Sequence, residues 1–195
     1  MLLTKTTLKT AQMVMASCLL TVMAGCQTLP KNTPTTTATI NAPIQFNITG
    51  KIGMITISAD NSQSGTAFYA WVQEGERFAI DLTGALGIGA TTISFDGKTA
   101  TLHNQRIRSI HADSPEELLT QVTGWQAPIS QLPYWIIGKT APSDSDHQYD
   151  DKGRLAQAVN NDWIATFEYK GNLPNRLRIT HTDGHRIIMS IIHGN

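Results

Sequence analysis

From Ile44 onward the apolar residues recur at every second position, and glycine-bearing turns break the recurrence. That period belongs to half-buried strands, and the turn spacing confines the chain to a largely antiparallel sheet. Phe46, Ile48, Ile52 and Met54 share one face. Phe78, Ile80 and Leu82 alternate with Ala79, Asp81 and Thr83, and Ile93 and Phe95 alternate with Thr92 and Ser94. Glu74-Gly75, Asp96-Gly97 and Asp183-Gly184 read as hairpin turns, because glycine accepts the positive φ that tight turns demand. Later strands are expected over Leu155–Val159, Trp163–Tyr169, Arg176–His181 and His185–Ile192, for about ten or eleven in all.

Two short helices are expected to interrupt the strands. Ser114-Pro115-Glu116-Glu117 has the form of a capping box with proline at the first helical position, followed by Leu118, Leu119 and Val122 and stopped by Gly124. Ser130 is read as the cap of a second helix, which carries Leu132, Trp135 and Ile136 and stops at Gly138. Strands, two apolar helices, then strands again predict a mainly β, α+β fold: an incomplete antiparallel barrel of about eleven strands, with the helices covering or plugging one side.

The N-terminal segment sets the address. Lys5 and Lys9 form a basic region, and Ala11 to Ala24 is a short apolar stretch ending in small residues, the layout of an export signal. It is shorter than the roughly 20 apolar residues a bilayer span needs. Met23-Ala24-Gly25-Cys26 resembles the bacterial lipobox, in which the cysteine is acylated and becomes the new N-terminus. An ordinary secretory cleavage near Ala24 and a rival site at Met15-Ala16-Ser17-Cys18 are the alternatives. A cut at Cys18 would leave almost no apolar run behind the lysines. Residues 1–25 are thus expected to be a cleaved lipoprotein signal peptide. Cys26 is expected to carry an N-acyl diacylglycerol, and Gln27 after it favours the outer membrane.

Removing Lys5 and Lys9 lowers the basic count from 15 to 13 against 15 acids, a net charge of −2. No nucleic-acid footprint is present. With Cys26 acylated and Cys18 discarded no free thiol remains, which excludes disulfides and thiolate chemistry. Residues 26–43, rich in threonine and proline, read as a flexible tether. Residues 44–195 read as a single barrel domain, expected to be monomeric.

Motifs for enzyme chemistry are sparse. His181-Thr182-Asp183-Gly184-His185 has metal-ligand spacing, but Asp183-Gly184 explains it as a hairpin turn flanked by two histidines, and a metal would need further ligands. Asp144, Asp146, Asp150 and Asp151 read as a solvated loop without the glycine and glutamate placement of a calcium site. No nucleophile elbow, P-loop or dinucleotide fingerprint occurs. No cofactor, metal or catalytic residue is expected.

Gly84-Ala85-Leu86-Gly87-Ile88-Gly89 is an apolar, uncharged connection between two strands. Either it tucks against its own core, or it projects Leu86 and Ile88 into lipid beside the membrane anchor.

Over nearly the whole mature chain, ordered segments resemble the LolB family of outer-membrane lipoprotein receptors. These are Thr49-Gly50-Lys51-Ile52-Gly53, Ala67 to Gly75, Leu82 to Gly87, Thr123 to Ile129, Leu132 to Gly138, Asp162-Trp163 and Leu173-Pro174. The resemblance implies a barrel wrapped on helices, with a hydrophobic cavity for acyl chains. By position, Leu86 matches the family's membrane-inserting leucine, with Ile88 beside it. Trp71, Trp135 and Trp163 match tryptophans of the cavity region, to which Phe68 and Ile136 are added; an ordinary barrel core is the other reading of these aromatics. Implied partners are a soluble LolA-like periplasmic carrier, acylated lipoproteins and outer-membrane phospholipid. Two departures stand out: Ala85 where the family often has proline, and a C-terminus, Ile191 to Asn195, without the tryptophan often found there. Rival functions are a lipid- or glycolipid-binding lipoprotein of the same fold and a periplasmic hydrolase.

Overall fold

A computed structural model describes residues 42–58, 61–84, 90–104, 109–124 and 126–194. Its strands are β1 (Gln45–Ser58), β2 (Asn61–Glu74), β3 (Arg77–Thr83), β4 (Thr91–Phe95), β5 (Ala100–Asn104), β6 (Ile110–Ala112), β7 (Asp146–Tyr149), β8 (Leu155–Asn160), β9 (Trp163–Lys170), β10 (Leu173–His181) and β11 (Arg186–His193). They form one 11-stranded sheet in the order β6-β5-β4-β3-β2-β1-β11-β10-β9-β8-β7. Every neighbouring pair is antiparallel. The mainly β architecture expected from the alternation is therefore present, as an open sheet rather than a closed ring.

The turns follow their chemistry. Gly75 (φ +62) lies in the β2–β3 hairpin, Gly97 (φ +95) between β4 and β5, and Gly184 (φ +92) between β10 and β11. Asp96 accepts from the backbone N–H groups of Lys98 and Thr99 at 2.9 and 2.8 Å through Oδ1, closing its own turn. These two bonds hold the Asp96 carboxyl below its ordinary pKa.

The two open edges, β6 and β7, are joined by a helical connection. Helix α1 (Pro115–Thr123) starts at Ser114, whose Oγ accepts from Glu117 N at 3.1 Å, and ends at Gly124 (φ 78). Glu117 does not close the box on Ser114 itself, because its Oε2 accepts from Asp113 N one residue earlier, at 3.2 Å. A 3₁₀ turn (Ile129–Gln131) then leads into α2 (Leu132–Ile136). Here the expectation for Ser130 is corrected: it lies inside the 3₁₀ turn, and Gln131 occupies the cap position of α2 without a side-chain capping bond, its Nε2 donating instead to Ser143 Oγ at 2.9 Å. The Ser130 backbone N–H instead donates to Glu116 Oε1 at 2.7 Å, tying the turn to α1.

The acidic connection is likewise more structured than a solvated loop. Asp150 pairs with Arg154 at 2.7 Å and accepts from the backbone of Lys152 and Arg154. The Arg154 side chain, followed by the backbone bonds, lowers the Asp150 pKa. Asp144 turns inward, as described below.

The inner face of the sheet and the helices share one core. Ile48, Tyr69, Trp71, Phe78, Ile80, Leu177, Ile179, Ile187, Met189 and Ile191 supply the sheet side, and Leu132, Trp135 and Ile136 the helical side. A smaller cluster of Ala100, Leu102, Ala112 and Leu118 seats α1 on β5 and β6. At Gly50 the strands come unusually close. Tyr69 reaches across β1 from β2 to donate its hydroxyl to Ser190 O of β11 at 2.8 Å, and a Cβ at position 50 would meet that carbonyl oxygen. Burial raises the Tyr69 pKa above that of an exposed phenol. Glycine at position 50 is thus what lets one aromatic span three strands.

Candidate lipid-binding interior

The inner face of β2 carries the first tryptophan. Trp71 is 1% exposed, with Phe46 edge-on at 5.9 Å and Phe78 tilted at 5.6 Å; Phe95 follows Phe78 at 6.0 Å. An aromatic chain therefore crosses β1 to β4, in geometries that favour edge and tilted contacts over stacking. Its one polar requirement is met locally, since Trp71 Nε1 donates to Gln73 Oε1 at 2.9 Å and Gln73 Nε2 donates to Gly75 O at 2.7 Å. Gln73 is a buried polar residue that the sequence reading did not single out. Its signal was available, because a glutamine two positions after Trp71 in a strand must share the tryptophan's inward face.

Trp135 and Ile136, both fully buried, come from α2 on the opposite side of the core. Trp135 Nε1 donates to Asp144 Oδ2 at 3.1 Å, and the same oxygen accepts from Ala141 N at 2.7 Å. Asn160 Nδ2 of β8 donates to Ser143 O at 2.9 Å, which holds this segment against the sheet edge. Asp144 is thus a latch between α2 and the chain that follows it. Trp163 opens β9, buried, with the His181 ring at 4.7 Å. His181 and His185 flank the β10–β11 turn as expected, with their rings 5.6 Å apart.

The structure thus brings Trp71, Trp135, Trp163 and Ile136 into one buried cluster. Phe68 does not join them. It is 66% exposed, because inward positions on β2 are Ala67, Tyr69, Trp71 and Gln73, which sends Phe68 to the outer face. Its assignment to the interior is corrected accordingly. Leu86 and Ile88 lie outside the described residues, between the paired ends of β3 and β4 (Leu82 opposite Thr91). Cys26 also lies outside them. Every buried side-chain nitrogen and oxygen among the described residues has a partner. No group of three or more His, Cys, Asp or Glu among those residues is placed to hold a metal.

A family model described as outer membrane lipoprotein LolB matches residues 44–192. The chain belongs to the LolB family. A relative named outer-membrane lipoprotein LolB from Stutzerimonas stutzeri is 33% identical over 92% of this chain and 92% of its own length. One of the same name from Pseudomonas putida is 34% identical over 71% of this chain and 68% of its own. A third, from Shewanella baltica, is 27% identical over 84% and 80%. A solved LolA superfamily protein from Nitrosomonas europaea aligns with a TM-score of 0.47 and 12% identity, covering 78% of this chain and 86% of that one. No helix among the described residues is long and apolar enough to cross a membrane, and a LolB chain is placed at the outer membrane as a lipoprotein.

Proposed function

We propose that this LolB chain accepts acylated lipoproteins from a soluble LolA-like carrier, holds their acyl chains between the sheet and its helices, and releases them into the inner leaflet of the outer membrane. The observation that carries the reading is the construction of the core. One apolar sheet face is covered on its open side by two short helices, and α2 is fastened near its C-terminal end by the Trp135–Asp144 bond. Apolar surface is therefore exposed by moving a few turns of helix, without breaking the sheet.

The energies are compatible. Undocking α2 uncovers Leu132, Trp135 and Ile136, at about 1.5–3 kcal/mol each, or roughly 5–9 kcal/mol together. One acyl chain of about fifteen methylenes, at about 0.8 kcal/mol each, returns roughly 12 kcal/mol on leaving water. Cargo chains thus offset the opening, whereas an empty receptor stays closed. Transfer makes and breaks no covalent bond, so its direction comes from differential affinity along carrier, receptor and bilayer.

In this scheme Leu86, with Ile88, engages the membrane during release, and acylated Cys26 at the end of the tether keeps the domain beside its leaflet. One leucine contributes only about 1.5–3 kcal/mol, enough to bias delivery but not to anchor. The test is to mix the receptor with carrier loaded with labelled lipoprotein, then add liposomes. Transfer followed by delivery is expected, and Leu86→Glu should fold and accept cargo yet release it poorly. Bound phospholipid without transfer would identify a lipid-binding protein of the same fold, and turnover of an ester would identify a hydrolase. Normal delivery by Leu86→Glu would remove the leucine from the mechanism.

A further inference from the structure

The outer face of the sheet holds a second, separate feature. β1, β10 and β11 contain no carboxylate, and β2 has only Glu74 at its far end. The same strands present Lys51, Arg176, Arg178 and Arg186, all exposed. Apolar side chains stand among them: Phe68 (66% exposed), Ile192 (66%) and Ile55 (37%). Strand pairing sets Phe68, Lys51, Ser190 and Arg176 in one row across four strands. Glu168 of β9, next in that row, pairs with Arg176 at 4.0 Å, leaving Lys51, Arg178 and Arg186 as the cations toward the middle of the face. In a chain whose overall charge is balanced, this face is locally cationic and partly apolar.

Within it lies a recess of about 470 Å³, with Gly53 at its floor and Ile55, Ser64, Thr66, Arg186 and Ile188 on its walls. Glycine at position 53 has no steric cause. Its φ is outside the left-handed region, and an added Cβ would meet nothing nearer than Thr66 Cγ2 at 3.8 Å. The recess exists because a side chain is missing where one would fit. Ser64, Thr66 and Arg186 are the residues with side-chain donors in its lining, with the Thr66 methyl nearest Gly53, and no carboxylate lines it.

We propose that this recess seats the phosphodiester headgroup of an anionic phospholipid in the membrane on which the protein sits. Arg186 and Ser64 donate to the phosphate oxygens, while Phe68 and Ile55 enter the interfacial zone and Lys51 and Arg178 lie along the charged surface. An acidic phospholipid is the occupant that matches both parts of the face, because cations interleaved with exposed apolar groups suit a boundary between headgroups and acyl chains. The inference rests on placement at the outer membrane and is independent of cargo transfer.

The test uses the full chain in vesicles of phosphatidylcholine alone or of phosphatidylcholine with phosphatidylglycerol, each doped with a photoreactive-headgroup lipid. Labelled peptides are mapped by mass spectrometry. Peptides of β1, β2 and β11 around Gly53 should label about fivefold more in the anionic vesicles. Gly53→Val should fill the recess, fold at least as well by urea titration, and remove most of that labelling. Arg186→Gln, an exposed change, should reduce labelling in anionic vesicles to the level in neutral ones. Equal labelling in both vesicle types, or labelling that both variants leave unchanged, overturns the assignment. Cargo transfer measured in the same vesicles would be unaffected by that failure, so the two readings fail separately.

Discussion

Replacing Asp144 with alanine should loosen the helical cover while leaving the sheet intact. Asp144 Oδ2 is the acceptor for Trp135 Nε1 at 3.1 Å and Ala141 N at 2.7 Å. Hydrogen bonds to a charged group contribute about 1.5–3 kcal/mol each, and the carboxylate is only half-buried, so the lower end applies. Trp135 is fully buried, and its indole N–H would find no replacement partner without moving the helix. The expected loss is about 3 kcal/mol, or roughly 6–12 °C in Tm for a domain of this size. Urea unfolding followed by tryptophan fluorescence measures it. Trp135→Phe keeps most of the ring and removes the donor, so a double-mutant cycle isolates the bond, with an expected coupling of about 1–2 kcal/mol. If α2 is the moving cover, Asp144→Ala should also accept cargo faster than the parent despite being less stable. A loss below about 0.5 kcal/mol, or strict additivity with Trp135→Phe, would refute the latch.

Gly50→Ala should cost about 3 kcal/mol by driving a methyl group into the Ser190 carbonyl oxygen, read as a lower urea midpoint. Tyr69→Phe, which removes only the hydroxyl bond to Ser190 O, should cost about 1 kcal/mol in the same titration. Asp150 has its pKa lowered in the fold by Arg154, so its contribution is fully present above the unfolded carboxyl's pKa and fades as pH falls through the folded one. The stability gap between parent and Asp150→Asn should therefore be constant near neutrality and close in acid, as followed by thermal melts across pH. Cys26→Ala should lose outer-membrane fractionation yet retain transfer from a loaded carrier in solution.

Local chemistry was legible in the sequence and tertiary partnerships were not. The Ser114 cap, the glycine turns and the strand runs each depend on residues within a few positions, so spacing alone located them. Ser130 was misread because its backbone N–H is satisfied by Glu116, fourteen residues earlier and across a turn. Asp144 looked like a solvated acid because nothing near it announces a buried indole nine residues back. Phe68 sits in Ala67-Phe68-Tyr69-Ala70-Trp71-Val72, where neither face is polar, and with no contrast to set the phase the side of the sheet stayed ambiguous. The family resemblance supplied what periodicity could not, namely the expectation that the apolar interior binds acyl chains.

The strand order also governs when the molecule can be completed. All eleven strands lie in two local meanders, β1 to β6 and β7 to β11, and among the described residues the only strand pairing between them is β1 with β11, where Lys51 N donates to Ser190 Oγ across 139 residues at 3.0 Å. The seam in the middle of the sheet therefore joins the first described strand to the last. A chain emerging from a translocation channel would present an unpaired β1 edge and half an apolar face until its final strand arrives. Losing β11 would leave two half-sheets with four edges, so the codons for Arg186–His193 decide whether the cell receives a receptor or a protease substrate.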